Sequence, residues 1–228
     1  MERFWSIILE LTEGFGNTLS LFAVTLVAAL PLGLLLAFGS MSKFKPLKWF
    51  VKLLVWIIRG SPLMLQILLV SFIPQYVFKV PTKELAASLG ITINATMFLF
   101  VAIAFVINYA CYFSEIYRAG IEAIPVGQYE AGKVLGLTKN QVFSKIVLMQ
   151  VIRRILPPMS NEIITLVKDT SLAQILGVID LLNAAKHAVN HYVILTPFLY
   201  ATAFYLIFNG ILTLLLGWVE KKLSYYKV

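Results

Sequence analysis

Residues 127–137 of the chain read GQYEAGKVLGL and belong to the longest segment, 115–154, that does not resemble a membrane span. Most residues between the two outer glycines favour a helix, and the side chains are small at Ala131 and Gly132. Small residues on a short exposed helix allow the backbone of another protein to approach closely. An ordinary loop between helices is the alternative interpretation of these residues.

The sequence that follows continues the helical pattern. From Asn140, the residues QVFSKIVLMQVIRRIL place apolar side chains at intervals of three and four, which predicts an amphipathic helix. Pro157 and Pro158 come directly after it. Because proline suits the first turn of a helix, we expect this pair to open the next apolar span.

The rest of the chain is strongly apolar. It has 228 residues, of which 60% are hydrophobic and 13% charged, with a mean hydropathy of +0.86. Soluble domains carry about twice that charged fraction, and about 20 apolar residues suffice to cross a bilayer as a helix. We therefore predict an all-α, multi-pass integral membrane protein that forms a single domain, 1–228. Its five spans are expected at about 14–40, 59–79, 92–114, 155–180 and 193–219.

The positive charges give the orientation of these spans. Fourteen of the nineteen Lys and Arg residues lie in the loop 43–59, the segment 115–154 and the tail 221–227. Positive residues accumulate on the cytoplasmic side of a membrane, so we expect the N-terminus outside, the C-terminus inside and 115–154 in the cytoplasm. This distribution accounts for the net charge of +8 without a nucleic-acid partner.

The fourth predicted span carries charges. Lys168 and Asp169 are neighbours in the run LVKDTSLAQIL, and a charge at the centre of a membrane costs about 2.5–3.5 kcal/mol. Neighbours on a helix point about 100° apart, so they do not pair with each other. Because Asp, Thr and Ser are good N-caps, we predict that the span breaks and restarts near Thr170 and Ser171, with free N–H groups at the restart.

The segment around residue 130 resembles the EAA loop of ABC importer permeases. The matching residues are Glu130, Ala131, Gly132, Gly136, Ile146 and Leu148. Two positions depart from that pattern, since Gly132 stands at the third position of the motif, where the family has alanine, and Met149 stands where the family has proline. Three further stretches look like the polar amino-acid uptake branch: RGSPLMLQ at 59–66, SEIYRAGIEAIPVGQ at 114–128 and KDTSLAQILGV at 168–178.

The resemblance implies a fold and a set of partners. It implies a type I ABC importer permease in the cell (inner) membrane, which dimerises with a second copy or a close homologue. It also implies a partner ATPase dimer and an extracytoplasmic amino-acid-binding protein. The residues expected to contact the ATPase are Gly127, Tyr129, Glu130, Ala131, Gly132 and Gly136. The sequence has no GxxxxGK[ST] phosphate loop, so we expect ATP and Mg²⁺ on the partner and no cofactor in this chain.

Polar residues within the spans are the candidates for substrate contact. One hypothesis is that Lys168 and the restart at Thr170 and Ser171 bind the carboxylate of an amino acid, while Asp169 orients the site or receives an ammonium. The alternative is that Lys168 and Asp169 pair with charges of the partner subunit. Further candidates are Gln66, Asn108, Tyr109 and Glu115. Hydrogen bonding between helices is slightly favoured for Gln66, and simple pairing with Arg118 is favoured for Glu115.

A channel and an intramembrane enzyme are the two alternative classes of protein. A channel or transporter that needs no ATPase would not require a docking helix with Glu130 and Gly136. An intramembrane enzyme would require a nucleophile with its base, paired carboxylates or a metal. His187 and His191 stand four residues apart, but no third metal ligand is evident, so we expect no metal site. Neither the amino acid nor the choice between identical and homologous permeases can be read from the sequence.

Overall fold

The computed structural model describes residues 2–223, and every regular element in that range is helical. The predicted positive tail extends to Lys227, which lies outside the described residues. A π-helical turn (Phe143–Val147) and a 3-10 helix (Thr170–Leu176) precede and follow α8. The α-helices are α1 (Glu2–Ser40), α2 (Lys45–Arg59), α3 (Leu63–Tyr76), α4 (Thr82–Leu89), α5 (Ile93–Glu122), α6 (Val126–Val134), α7 (Lys139–Val142), α8 (Leu148–Asp169), α9 (Leu181–Tyr192) and α10 (Thr196–Leu223).

Three of these helices are long and apolar enough to cross a membrane, namely α1, α5 and α10. The pair α2 and α3 passes the same criteria together but is bent by 109° at the break between its two helices. Within the described residues there are thus three to four candidate spans by length and composition. The predicted second span corresponds to α3, and the predicted fourth to α8 with the 3-10 helix behind it.

The helix of the fourth span begins earlier than expected. Thr138 caps α7: its hydroxyl accepts from the Gln141 N–H at 3.3 Å, and the Gln141 side chain accepts from the Thr138 N–H at 2.9 Å. Such a reciprocal capping box is a strong start signal. Pro157 and Pro158 consequently lie inside α8, so the helix that contains the predicted fourth span does not begin at them. Membrane helices tolerate internal proline where neighbouring groups satisfy the freed carbonyls.

The α-helix ends at Asp169, where a break is predicted, but the prediction that a new α-helix starts at Thr170 and Ser171 is wrong. Thr170 Oγ1 donates to the Val167 carbonyl at 2.6 Å, and Ser171 Oγ donates to the Lys168 carbonyl at 2.8 Å. Both hydroxyls therefore continue the helix instead of capping a new one, and α8 passes directly into the 3-10 helix. The next α-helix is α9, where the Asp180 carboxylate accepts from the N–H groups of Leu182 and Asn183, both at 3.1 Å.

Helix α5 forms the centre of the protein. Its buried aromatic residues include Phe105, Tyr109 and Phe113, and α1 packs along it. At the closest approach, a Cβ placed on Gly33 of α1 would lie 2.9 Å from both the Ala110 carbonyl oxygen and the Phe113 Cβ. Lipid tails are as apolar as the helix surfaces, so membrane helices associate through such close backbone packing at small residues.

Gly33→Val is expected to lower the free energy of unfolding by about 1–3 kcal/mol, since overpacking forces backbone shifts. The measurement is the thermal midpoint of the purified, detergent-solubilised chain. Gly16→Val is the matched control on the same helix, because no described atom lies within 4 Å of a Cβ at Gly16. Equal midpoints for the two variants would contradict the close α1–α5 contact.

Candidate functional site

The segment that resembles the EAA loop forms a short helix with an exposed apolar surface. Val126 and Val134 on α6 are 69% and 88% exposed, and the adjoining Leu135 is 74% exposed. Glu130 is exposed between them, on the same side of the helix by its spacing of four residues from each valine. Ala131 is exposed as well. An apolar surface with one central carboxylate is suited to contact with another protein.

Gly132 serves a different purpose from the one expected. It is buried, and a Cβ at this position would lie 2.5 Å from Val142 Cγ2. Its small size therefore allows α6 to pack on α7 within the chain, and the expectation that it admits a partner's backbone is wrong. Tyr129 contributes to the same internal packing, against the cluster Ile124, Val142, Val147 and Val151.

The two outer glycines of this segment also differ. Gly136 has φ of +71°, a left-handed conformation that favours glycine. Its N–H donates to the Lys133 carbonyl at 2.9 Å, and the Leu137 N–H donates to the Gly132 carbonyl at 3.0 Å. Gly136 thus ends α6 and turns the chain toward α7. Gly127 lies exposed in the first turn of α6.

A polar cavity of about 410 Å³ lies between α5, α8 and the start of α3. The Tyr109 hydroxyl donates to Asp169 Oδ2 at 2.7 Å, which joins the centre of α5 to the end of α8. Asn108, Tyr109, Glu162, Thr165 and Asp169 supply much of the polar lining. The cavity thus presents carboxylates, hydroxyls and an amide within an apolar bundle, a common composition for a small-molecule site.

Asn108 is held by Gln66. Its Nδ2 donates to Gln66 Oε1 at 3.0 Å, and Gln66 Nε2 donates to the Ile58 carbonyl at 2.8 Å and to Ser61 Oγ at 2.9 Å. These bonds connect α5, α3 and the end of α2. The prediction that Gln66 bonds between helices is confirmed, and Gln66 is not among the residues lining the cavity.

The predicted substrate residues do not all converge. Lys168 and Asp169 point apart as expected: Asp169 faces the cavity, whereas Lys168 is exposed and does not line it. Thr170 is buried, and Ser171 bonds within its own helix. Sequence reasoning missed the role of Glu162, which lines the cavity with Asp169. The available signal was their spacing of seven residues, which places two side chains on one face of a helix.

Glu115 lies in a second cavity, of about 480 Å³, toward α6. Arg118 donates to both of its carboxylate oxygens, through Nε at 3.1 Å and Nη2 at 2.7 Å, so the predicted pairing is confirmed. Arg59 Nη1 lies 3.6 Å from the same carboxylate, and its guanidinium carbon lies 5.2 Å from the centre of the Tyr112 ring. Both cavities are lined by Tyr112 and Glu162, so the two are adjacent.

An all-helical fold with several helices long and apolar enough to cross a membrane, together with a cavity lined by polar groups, fits a transport permease. Residues 29–225 match the family described as binding-protein-dependent transport system inner membrane component. The chain belongs to this family, and the expected resemblance is confirmed. It is accordingly an inner-membrane permease of the ABC importer type.

Curated relatives extend over nearly the whole chain. The L-cystine transport system permease protein TcyB of Bacillus subtilis is 34% identical over 227 residues, covering 99% of this chain and 90% of that protein. The arginine transport system permease protein ArtQ of Bacillus subtilis is 34% identical, with 93% and 91% covered. The putative glutamine transport system permease protein GlnP of Rickettsia conorii is 30% identical, with 97% and 96% covered.

Solved structures share the fold. A crystal structure of an amino acid ABC transporter with histidines has a chain that is 27% identical with a TM-score of 0.81, covering 96% of each chain. A chain of the MetNI methionine ABC transporter in an inward-facing conformation is 18% identical with a TM-score of 0.66, covering 97% of each chain. The second likeness shows the fold alone.

Proposed function

We propose that this chain is the permease subunit of an ATP-driven importer of amino acids. The observation that carries the proposal is the agreement of the relatives that match over nearly their full length: all three described above are named for amino-acid transport. The cavity at Tyr109 and Asp169 supports it, because it offers groups of the kind that bind a small polar solute. The fold and the docking helix support the same class.

In this proposal the chain forms one domain, 1–228, with five spans in the positions expected from the sequence. Helices α1, α5 and α10 supply three spans, α3 with its bend from α2 supplies another, and α8 with the 3-10 helix supplies the fifth. The N-terminus lies outside and the C-terminus in the cytoplasm. The segment 115–154 is then cytoplasmic, in agreement with its positive charge.

The exposed surface of α6 is the proposed contact with the ATPase. Val126, Val134 and Leu135 supply apolar contact area, and Glu130 supplies a charge that selects a positively charged counterpart. Gly127 and Ala131 complete the contact, while Tyr129, Gly132 and Gly136 shape it from within. ATP and Mg²⁺ reside on that partner, which performs the hydrolysis.

The cavity is the proposed substrate site. Asp169 receives the ammonium of the amino acid, and Tyr109 and Asn108 orient it, with Gln66 holding Asn108 in place. Lys168 lies outside the cavity, at the surface where the path meets the second permease copy or a close homologue. Glu115 stands on the route toward the cytoplasm, and an extracytoplasmic binding protein delivers the amino acid from the other side. Transport proceeds by alternating access around this mid-membrane site.

The test is co-purification followed by reconstitution. The full chain, extracted in mild detergent, is expected to retain an ATPase that carries a GxxxxGK[ST] loop, and either a second copy or a homologous permease. In proteoliposomes the recovered complex is expected to accumulate labelled amino acids only when ATP and a binding protein are supplied. If the chain is recovered alone and its vesicles pass solute without ATP, the channel alternative replaces this proposal.

A further inference from the structure

A third cavity lies between α8 and α10, away from the substrate site. Its volume is about 390 Å³. Arg153, Glu220 and Lys221 supply its charges, and Leu156, Pro157 and Leu223 supply apolar walls. It lies near the end of the molecule that carries α6, because Arg153 stands in the first turns of α8, just after the π-helical turn.

Arg153 is incompletely satisfied in this cavity. Its Nη1 is buried and has no hydrogen-bond partner among residues 2–223. A buried guanidinium nitrogen without an acceptor is costly, and guanidinium groups bind carboxylates and phosphates through paired N–H donors. The cavity thus presents an unused donor for an anionic acceptor.

The Glu220 carboxylate bonds to α8 through one of its oxygens. Glu220 Oε1 accepts from the Ser160 hydroxyl at 2.6 Å, a bond that ties α10 to α8. The Arg153 Nη1 donor therefore remains available to a phosphodiester oxygen.

The surroundings point to a lipid as the source of that charge. The same turns of α10 present Leu214, Leu215 and Trp218 outward, with 76%, 56% and 61% exposed. Lys222 lies over the Trp218 ring at 5.1 Å, a pairing of side chains suited to the boundary between acyl chains and headgroups. Basic cavities between membrane helices on the cytoplasmic side bind anionic headgroups.

We propose that this cavity binds the phosphate of an anionic phospholipid, with Arg153 as the main contact and the acyl chains along the outer face of α10. The site is separate from the substrate cavity and from the docking surface of α6. Lipid binding at this site does not depend on which amino acid is transported. The proposal can therefore be tested even if the substrate assignment is wrong.

The test is lipid titration of the delipidated full chain, followed by native mass spectrometry. Dioleoyl phosphatidylglycerol is the probe, and dioleoyl phosphatidylcholine is the neutral comparison. Arg153→Gln is expected to weaken phosphatidylglycerol binding about tenfold, the effect of losing one hydrogen bond to a charged group. Lys83→Gln is the matched control, because it removes one positive charge from the exposed side of α4 without touching the cavity lining.

A second variant guards against misfolding of the first. Gly217 lines the cavity and has no described atom within 4 Å of an added Cβ. Gly217→Leu therefore fills the space while leaving every charge in place, and it is expected to exclude the lipid. The proposal is overturned if both cavity variants retain wild-type binding, if phosphatidylcholine binds equally well, or if inorganic phosphate alone displaces the lipid.

Discussion

Glu130→Arg is expected to reduce ATP-dependent uptake about thirtyfold or more, the effect of reversing one charge in a desolvated protein contact. Glu130 is exposed at the centre of the apolar surface of α6, between Val126 and Val134. An arginine there repels the positive counterpart that the carboxylate selects. The ATPase should then hydrolyse ATP at its basal rate without transport. The measurement is uptake and hydrolysis in the same proteoliposomes.

Glu84→Arg is the matched control for this variant. Glu84 is an exposed glutamate on the short helix α4, far in sequence from the docking surface, and it undergoes the same change of charge. We expect wild-type uptake from it. Both variants should insert in the membrane in equal amounts. Loss of uptake in both, or in neither, would exclude α6 as the surface that transmits ATP hydrolysis.

Asp169→Asn is expected to raise the substrate concentration for half-maximal uptake about thirtyfold or more, since it leaves the substrate ammonium without its charged partner in the cavity. The variant keeps the size of the side chain, and the Tyr109 hydroxyl that donates to Asp169 at 2.7 Å still finds a carbonyl oxygen. What is lost is the negative charge for the substrate ammonium. In the wild type, a substrate analogue without the amino group is expected to bind more weakly than the amino acid. In Asp169→Asn this difference in binding should disappear.

Lys168→Met distinguishes the two hypotheses for Lys168, which are binding of the substrate carboxylate and pairing with a charge of the partner subunit. If the lysine binds the substrate carboxylate, the variant should lose ATP hydrolysis that is stimulated by binding protein and substrate. Unchanged stimulation together with weaker association of the two permeases would instead assign Lys168 to the contact between subunits. Wild-type behaviour in both measurements would show that neither hypothesis describes this residue.

Local patterns of the sequence predicted the local structure well. Glu115 and Arg118 are three residues apart and pair as expected, and Asn140 onward forms the expected helical run. The polar group of Gln66 had to bond within an apolar bundle, and it does so with Asn108. In each case the determining contacts lie within a few residues or follow from the cost of leaving a polar group unpaired.

The misplaced restart at residue 170 has a local cause. Side chains of Thr and Ser satisfy either a helix start or a carbonyl of the preceding turn, and the sequence does not distinguish these uses at Thr170 and Ser171. The stronger signal lay later, where Gly177 has φ of +74° and Asp180 caps α9. Gly132 was assigned to the partner for a related reason, because only the tertiary packing reveals Val142 against it.

The contact between Gly132 and Val142 joins α6 to a long helical run. Val142 is the last residue of α7, and the helical run continues from it through the π-helical turn and α8 to Asp169 in the cavity. With a rise of about 1.5 Å per residue, the run from Val142 to Asp169 is roughly 40 Å long. If α6 binds the ATPase as proposed, a displacement of α6 would therefore reach the Asp169 carboxylate through this helical run.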